Sequence, residues 1–316
     1  MLLRTNDYLN NLLTNLNTNK QNVIIARTNN EVFDIYSFLL EKGIKAKLLT
    51  NENGFRLGNL TELREFADWF DKFGFANAKN LLENRFLNST NLPLALEVIE
   101  KFENEYDMSE NEKYLKSAFR DFLKIIDFDE FENTKGDVII STMHKVKGKE
   151  FACVHLCFGN DKIISEYEKR LLYVAITRAK NELFIYSNNE IFLKYKSHFT
   201  KITKFQDNPY TPKNITLMMG LGDAYLSNQT TDENIKKLNL QAGTVVSVNK
   251  CKVYKNSYDV AVFSRNFKDE IQKFIAKGYK LNPKAKIKYI VIWHGKDKNG
   301  KDKEFKIALC EIKMSL

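Results

Sequence analysis

Apolar residues in the first fifty positions follow two different spacings. Val23-Ile24-Ile25-Ala26 is a short continuous apolar run, which predicts a buried strand. Residues 31–42 carry Val32, Ile35, Tyr36, Leu39 and Leu40 on one helical face. Arg27-Thr28-Asn29-Asn30 forms the turn between them, with Asn29 or Asn30 expected to cap the helix and Gly43 to end it. Ala46-Lys47-Leu48-Leu49 reads as the next strand. A strand–helix–strand unit of this kind suits a parallel sheet with right-handed crossovers. Residues 1–20 are polar and Asn-rich, and read as a linker or helix end.

From Leu60 to about Asn133 the spacing stays helical. Leu63, Phe66, Ala67 and Phe70 form one face, and Leu81, Leu82, Phe86, Leu94, Val98, Phe102, Tyr114, Phe119 and Phe122 are expected core. Residues 71–135 therefore read as a small helical insertion between strands. Strand runs return at Val138–Ser141, Cys153–Phe158 and Leu183–Tyr186. Pro209 and Pro212, two of the chain's 4 prolines, mark a linker. Beyond it, runs at 244–248, 258–263, 287–293 and 304–310 predict strands, with a helix at 267–277 and a turn at 295–303. The expected organisation is an α/β domain over 21–207 and a small β-barrel-like domain over 212–316. Two domains also fit a length of 316 residues.

Composition changes this picture in one place. Residues 212–316 hold 19 Lys and 1 Arg against 10 Asp or Glu, a net +10, so the whole-chain +9 leaves −1 for everything before them. A basic excess of this kind favours polyanions through counterion release, although a solvated Lys-rich surface accounts for it equally. No apolar run reaches the roughly 20 residues of a membrane span, and no secretory signal begins the chain. Cys153 and Cys157 flank His155 without a second Cys pair at ligand spacing, so they read as buried strand thiols rather than a zinc site. A reducing, cytoplasmic setting is the expectation.

Candidate chemistry concentrates in two blocks. One is Ser141-Thr142-Met143-His144-Lys145-Val146-Lys147-Gly148-Lys149-Glu150-Phe151, which leaves a strand and turns on a Lys-Gly pair. The other is Arg170-Leu171-Leu172-Tyr173-Val174-Ala175-Ile176-Thr177-Arg178-Ala179, where Arg170, Val174 and Arg178 recur at four-residue spacing. No G-x-x-x-x-G-K-[ST] occurs anywhere in the chain. The nearest imitation of a magnesium-holding acidic pair, Asp129-Glu130, sits in the tail of a charged helical pattern.

These blocks resemble motifs V and VI of the superfamily 1 DNA helicases of the UvrD/Rep type. Val23–Asn29 resembles motif IV, and Gly54-Phe55-Arg56-Leu57 with Leu60-Thr61-Glu62-Leu63 resembles the block after the second strand. The resemblance covers residues 20–190 and implies a RecA-like parallel sheet, the second half of a two-part motor whose Walker A/B half is not in this sequence. It implies that Arg27 and Arg178 face the terminal phosphate of ATP. It further implies that Gly148 and Glu150 approach the nucleotide, and that Thr142, His144 and Lys147 touch single-stranded DNA. Two departures stand out: Ala26 replaces the family's adenine-stacking Tyr, and Lys149 replaces an apolar residue.

The implied function is the C-terminal half of an ATP-dependent DNA helicase or translocase of the kind used in DNA repair. Its partners would be single-stranded or partly duplex DNA and a P-loop half, in cis or in trans, that holds ATP and Mg2+. Hydrolysis and unwinding would need both halves. The alternative is a non-catalytic nucleic-acid-binding or regulatory module derived from a helicase, with Tyr254, Tyr258, Tyr289 and Trp293 as stacking candidates.

Overall fold

The computed structural model describes residues 6–16, 20–48, 55–126, 138–158, 165–187, 192 and 211–316. In chain order the elements begin with helix α1 (Asn6–Asn15), strand β1 (Asn22–Ala26), α2 (Asn29–Glu41) and β2 (Ala46–Leu48). Four helices follow: α3 (Thr61–Phe73), α4 (Phe75–Arg85), α5 (Leu92–Glu105) and α6 (Glu112–Ile125). Next come β3 (Val138–Thr142), β4 (Phe151–Phe158), α7 (Glu166–Ile176) and β5 (Ala179–Ser187). The last third holds β6 (Asn214–Met218), α8 (Gln229–Lys237), β7 (Val245–Val248), β8 (Lys252–Lys255), β9 (Tyr258–Val262), α9 (Arg265–Ala276), β10 (Lys280–Lys296) and β11 (Asp302–Ser315).

The chain divides into two compact units, residues 1–51 with 134–215 and residues 52–133 with 216–316. The first is an α/β unit around a five-stranded sheet in the order β2-β3-β1-β4-β5. Every pairing in it is parallel. Strand β1 is central and fully buried, as its unbroken apolar run requires of a strand covered on both faces. The period of two sorts its side chains. Ile24 and Ala26 join Leu9, Leu12, Ile35 and Leu39 on one side. Val23 and Ile25 join Met143, Val146, Leu172 and Ala175 on the other. Helices α1 and α2 thus cover one face, and α7 with the segment after β3 covers the other.

Several local expectations shift. The cap of α2 is Thr28, whose hydroxyl accepts from the Glu31 amide while Glu31 reaches back to the Thr28 amide. The reciprocal box satisfies two end donors, which an Asn one residue later would not. Leu40 is 42% exposed, because it falls on the edge of the helical face. Residues 1–20 include α1, whose Leu9 and Leu12 are core, so this polar stretch contributes to folding.

In the second unit, α3–α6 pack through Phe66, Phe70, Phe75, Phe102 and Phe119, several meeting edge to face. Leu81 and Tyr114, expected in the core, are exposed. These helices share their unit with a curled, antiparallel six-stranded half-barrel in the order β6-β11-β10-β7-β8-β9. Side chains from the helical part bond to β10 carbonyls: Thr61 Oγ1 to Ile290 at 2.9 Å, Asn59 Nδ2 to Ile292 at 3.0 Å and Asn91 Nδ2 to Lys288 at 3.1 Å. Strands β10 and β11 run longer than their apolar cores, and β8 and α8 carried too few apolar residues to announce themselves. Gly54, Asp129, Glu130 and Pro209 lie outside the described residues.

Candidate functional site

Every residue singled out in the two central blocks lies in the first unit. The segment after β3 is held down by alternate burial. Met143 and Val146, three apart, are buried. His144, Lys147, Gly148 and Glu150 point outward. Two turns shape the segment: the Lys145 amide donates to the Thr142 carbonyl at 3.1 Å, and the Lys149 amide to the Val146 carbonyl at 3.2 Å. The Met143 amide donates to the Ala26 carbonyl at 3.1 Å, tying the segment to the end of β1. Gly148 has φ +84°, where a side chain is strained, yet a Cβ there would meet nothing within 4 Å. The turn needs glycine for its backbone conformation, and the space beside it is open.

Helix α7 organises the rest. Ser165 caps it in a reciprocal box with Glu168. Arg27, just past β1, forms an ion pair with Glu168 in the first turn. Tyr167 places its hydroxyl 2.9 Å from His144 Nε2, fixing the imidazole against the helix. At the other end, Arg178 is bound through all three guanidinium nitrogens. Nε donates to the Val174 carbonyl at 2.8 Å, Nη1 to the Lys149 carbonyl at 3.0 Å and Nη2 to Thr177 Oγ1 at 3.0 Å. These bonds use three of the five guanidinium N–H donors. The Arg178 carbonyl also accepts from the Phe151 amide at 2.8 Å. Arg178 therefore joins the end of α7 to the end of the Lys147–Glu150 turn.

The structure brings Arg178, Lys147, Gly148 and Glu150 together along one edge, with His144 earlier on the same segment. Arg27 and Arg178 both attach to α7. Arg27 is bound through Glu168 in the first turn of α7, and Arg178 through Val174, Thr177 and Lys149 near its end. Thr142 is buried, and its carbonyl accepts from the Lys145 amide. Glu150 is exposed, with Lys180 Nζ 3.4 Å away. Tyr167 and Glu168 escaped the sequence reading. The Ser165-x-x-Glu168 box was the available signal, and it starts the helix at Glu166.

The Cys153–His155–Cys157 run lies inside the sheet. His155 is stacked on Phe184 at 4.9 Å between ring centres, with Nδ1 3.1 Å from the Tyr186 hydroxyl and Nε2 3.2 Å from Asn22 Oδ1. Burial lowers the His155 pKa to about 4, and burial with the Glu182 carboxylate raises that of Cys153 to about 11. A neutral imidazole beside a protonated thiol is core chemistry. Among the described residues, no group of three or more His, Cys, Asp or Glu could hold a metal ion.

Comparison with known proteins gives one family match, the UvrD-like helicase C-terminal domain, over residues 62–190. DNA helicase II of Rickettsia typhi is 30% identical over 147 residues, covering 39% of this chain and 22% of the relative. The ATP-dependent DNA helicase PcrA of Leuconostoc citreum is 34% identical over 110 residues, covering 30% of this chain and 14% of the relative. A probable DNA helicase II homolog of Rickettsia conorii is 29% identical over 170 residues, covering 44% and 25%. Each match spans about a quarter or less of the relative's length.

Proposed function

We propose, for a chain that carries a UvrD-like helicase C-terminal domain at residues 62–190, that its α/β unit works as the second half of an ATP-dependent DNA motor. A P-loop half, in cis or in trans, would hold ATP and magnesium. The bond from Arg178 to the Lys149 carbonyl carries the reading, because it couples the end of α7 to the Lys-Gly turn. A movement of one is transmitted to the other.

The residues fit a nucleotide approached from outside this unit. Arg178 offers a permanent cation with planar paired donors. Gly148 leaves open space beside the backbone. Bound ATP would supply the terminal phosphoryl group, and Arg178 would stabilise the charge spread over the oxygens of that group and its leaving oxygen during transfer. Glu150 would accept from a ribose hydroxyl. His144, oriented by Tyr167, and Lys147 would contact phosphates of single-stranded DNA. Arg27, held beside the start of α7 by Glu168, would face the terminal phosphate of ATP as a second permanent cation. Thr142, whose carbonyl closes the first turn of the segment, would join His144 and Lys147 at the DNA.

Photo-crosslinking of single-stranded DNA to the full chain tests the DNA-facing part. The expected result is adducts within residues 143–150, reduced severalfold in His144→Ala/Lys147→Ala. Adducts on the α/β unit confined to other segments, and unchanged in that variant, would refute the assignment.

A further inference from the structure

We infer that the outward face of β10 in the half-barrel binds the phosphate backbone of single-stranded nucleic acid. Lys284, Lys286 and Lys288 are exposed while Ala285 and Ile287 between them are buried. Strand geometry puts Lys284 and Lys286 about 6.8 Å apart on one face, and Lys288 follows at the β-bulge. Among the described residues none of the three has a carboxylate partner within ion-pair distance. The residue opposite Lys286 is Glu311, whose carboxylate lies 3.2 Å from Lys313 Nζ.

Exposed lysines often protect a sheet edge from pairing. That explanation fails here, because β10 has β11 on one side and β7 on the other, with Lys284 and Lys286 inside the β7 pairing. A row of like charges on an interior strand is self-repelling, and a polyanion relieves it. The adjoining row supplies a ring. Lys284 pairs with Ser247, and Ser247 with Tyr254, so the three share the outward face. A half-buried tyrosine beside a lysine stripe suits stacked bases better than an acidic peptide, which needs no ring. The β-bulge between Ile287 and Tyr289 ends the stripe, and from Tyr289 to Ile292 both faces are buried.

The inference is independent of the motor reading, since no residue of the stripe lies in the α/β unit. The test is fluorescence anisotropy of a labelled oligothymidylate of roughly 20 nucleotides, a length that spans one site on a single-strand-binding fold. The full chain is compared with Lys284→Gln/Lys286→Gln/Lys288→Gln across a salt series. The expected result is at least tenfold weaker binding at low salt and a log–log salt slope shallower by about 2, three contacts at roughly 0.7 each. Lys→Arg at the same positions retains both. Tyr254→Leu weakens binding by about fivefold or more with the slope unchanged. If the triple Gln variant fails to fold, Lys284→Glu alone carries the test. An unchanged slope overturns the inference. So does equal displacement by polyglutamate at matched charge, which would assign the face to an acidic protein.

Discussion

A methyl group on Gly58 would lie 2.1 Å from the Leu123 carbonyl oxygen, whereas one on Gly148 would meet nothing within 4 Å. The first glycine is required by space and the second by φ +84°. Gly58→Ala must push backbone aside and is expected to cost about 3 kcal/mol or more. Gly148→Ala carries only the left-handed penalty, about 1–2 kcal/mol. Denaturant titrations of the two variants should rank them in that order. His155 gives a second residue-scale expectation. Its folded pKa of about 4 lies below its ordinary value of 6.5. The unfolded chain therefore binds the extra proton first as pH falls. The contribution is complete above pH 6.5 and is lost progressively towards pH 4, amounting to about 3 kcal/mol at 1.36 per unit. Unfolding midpoints at a series of pH values should show this loss, and His155→Gln should flatten it. The four-residue spacing of Arg170, Val174 and Arg178 was legible at this scale, and Arg178 does bond the Val174 carbonyl one turn before it. The Arg27–Glu168 ion pair was not, since its partners stand 141 positions apart.

At the scale of elements, α7 links the candidate site. Its first turn holds Arg27 through Glu168 and His144 through Tyr167, and its end holds the Lys-Gly turn through Arg178. Ser165→Ala removes the cap oxygen and is expected to cost about 1 kcal/mol, with faster amide exchange at residues 166–169 and little change in β1. Equal protection in variant and parent would show that the cap does not set the helix start. The parallel sheet was readable from its apolar runs, because strands covered on both faces leave little room for polar residues. The short strand β8 was not, since four residues with only Val253 buried carry little apolar signal. The polar composition of α1 hid its two buried leucines, Leu9 and Leu12, for the same reason.

For the whole molecule, the association of α3–α6 with residues 216–316 is the feature no local pattern encodes. It rests on side-chain bonds to β10 carbonyls more than two hundred positions later in some cases, such as Thr61 to Ile290. Truncation near Pro212 would strip that support, so the fragment is expected to expose residues 61–125 to proteolysis while residues 138–187 stay protected. The most direct test of the central claim is ATP hydrolysis by the purified 316-residue chain, with and without single-stranded DNA. It is measured alone and mixed with a P-loop half of a UvrD-type helicase, each against Arg178→Ala. The predicted result is no turnover by the chain alone, and DNA-stimulated turnover in the mixture that falls by about 10³-fold or more in the variant. Turnover by the chain alone that disappears with Arg178→Ala would contradict the half-motor account, because the nucleotide would then be cradled by residues of this chain.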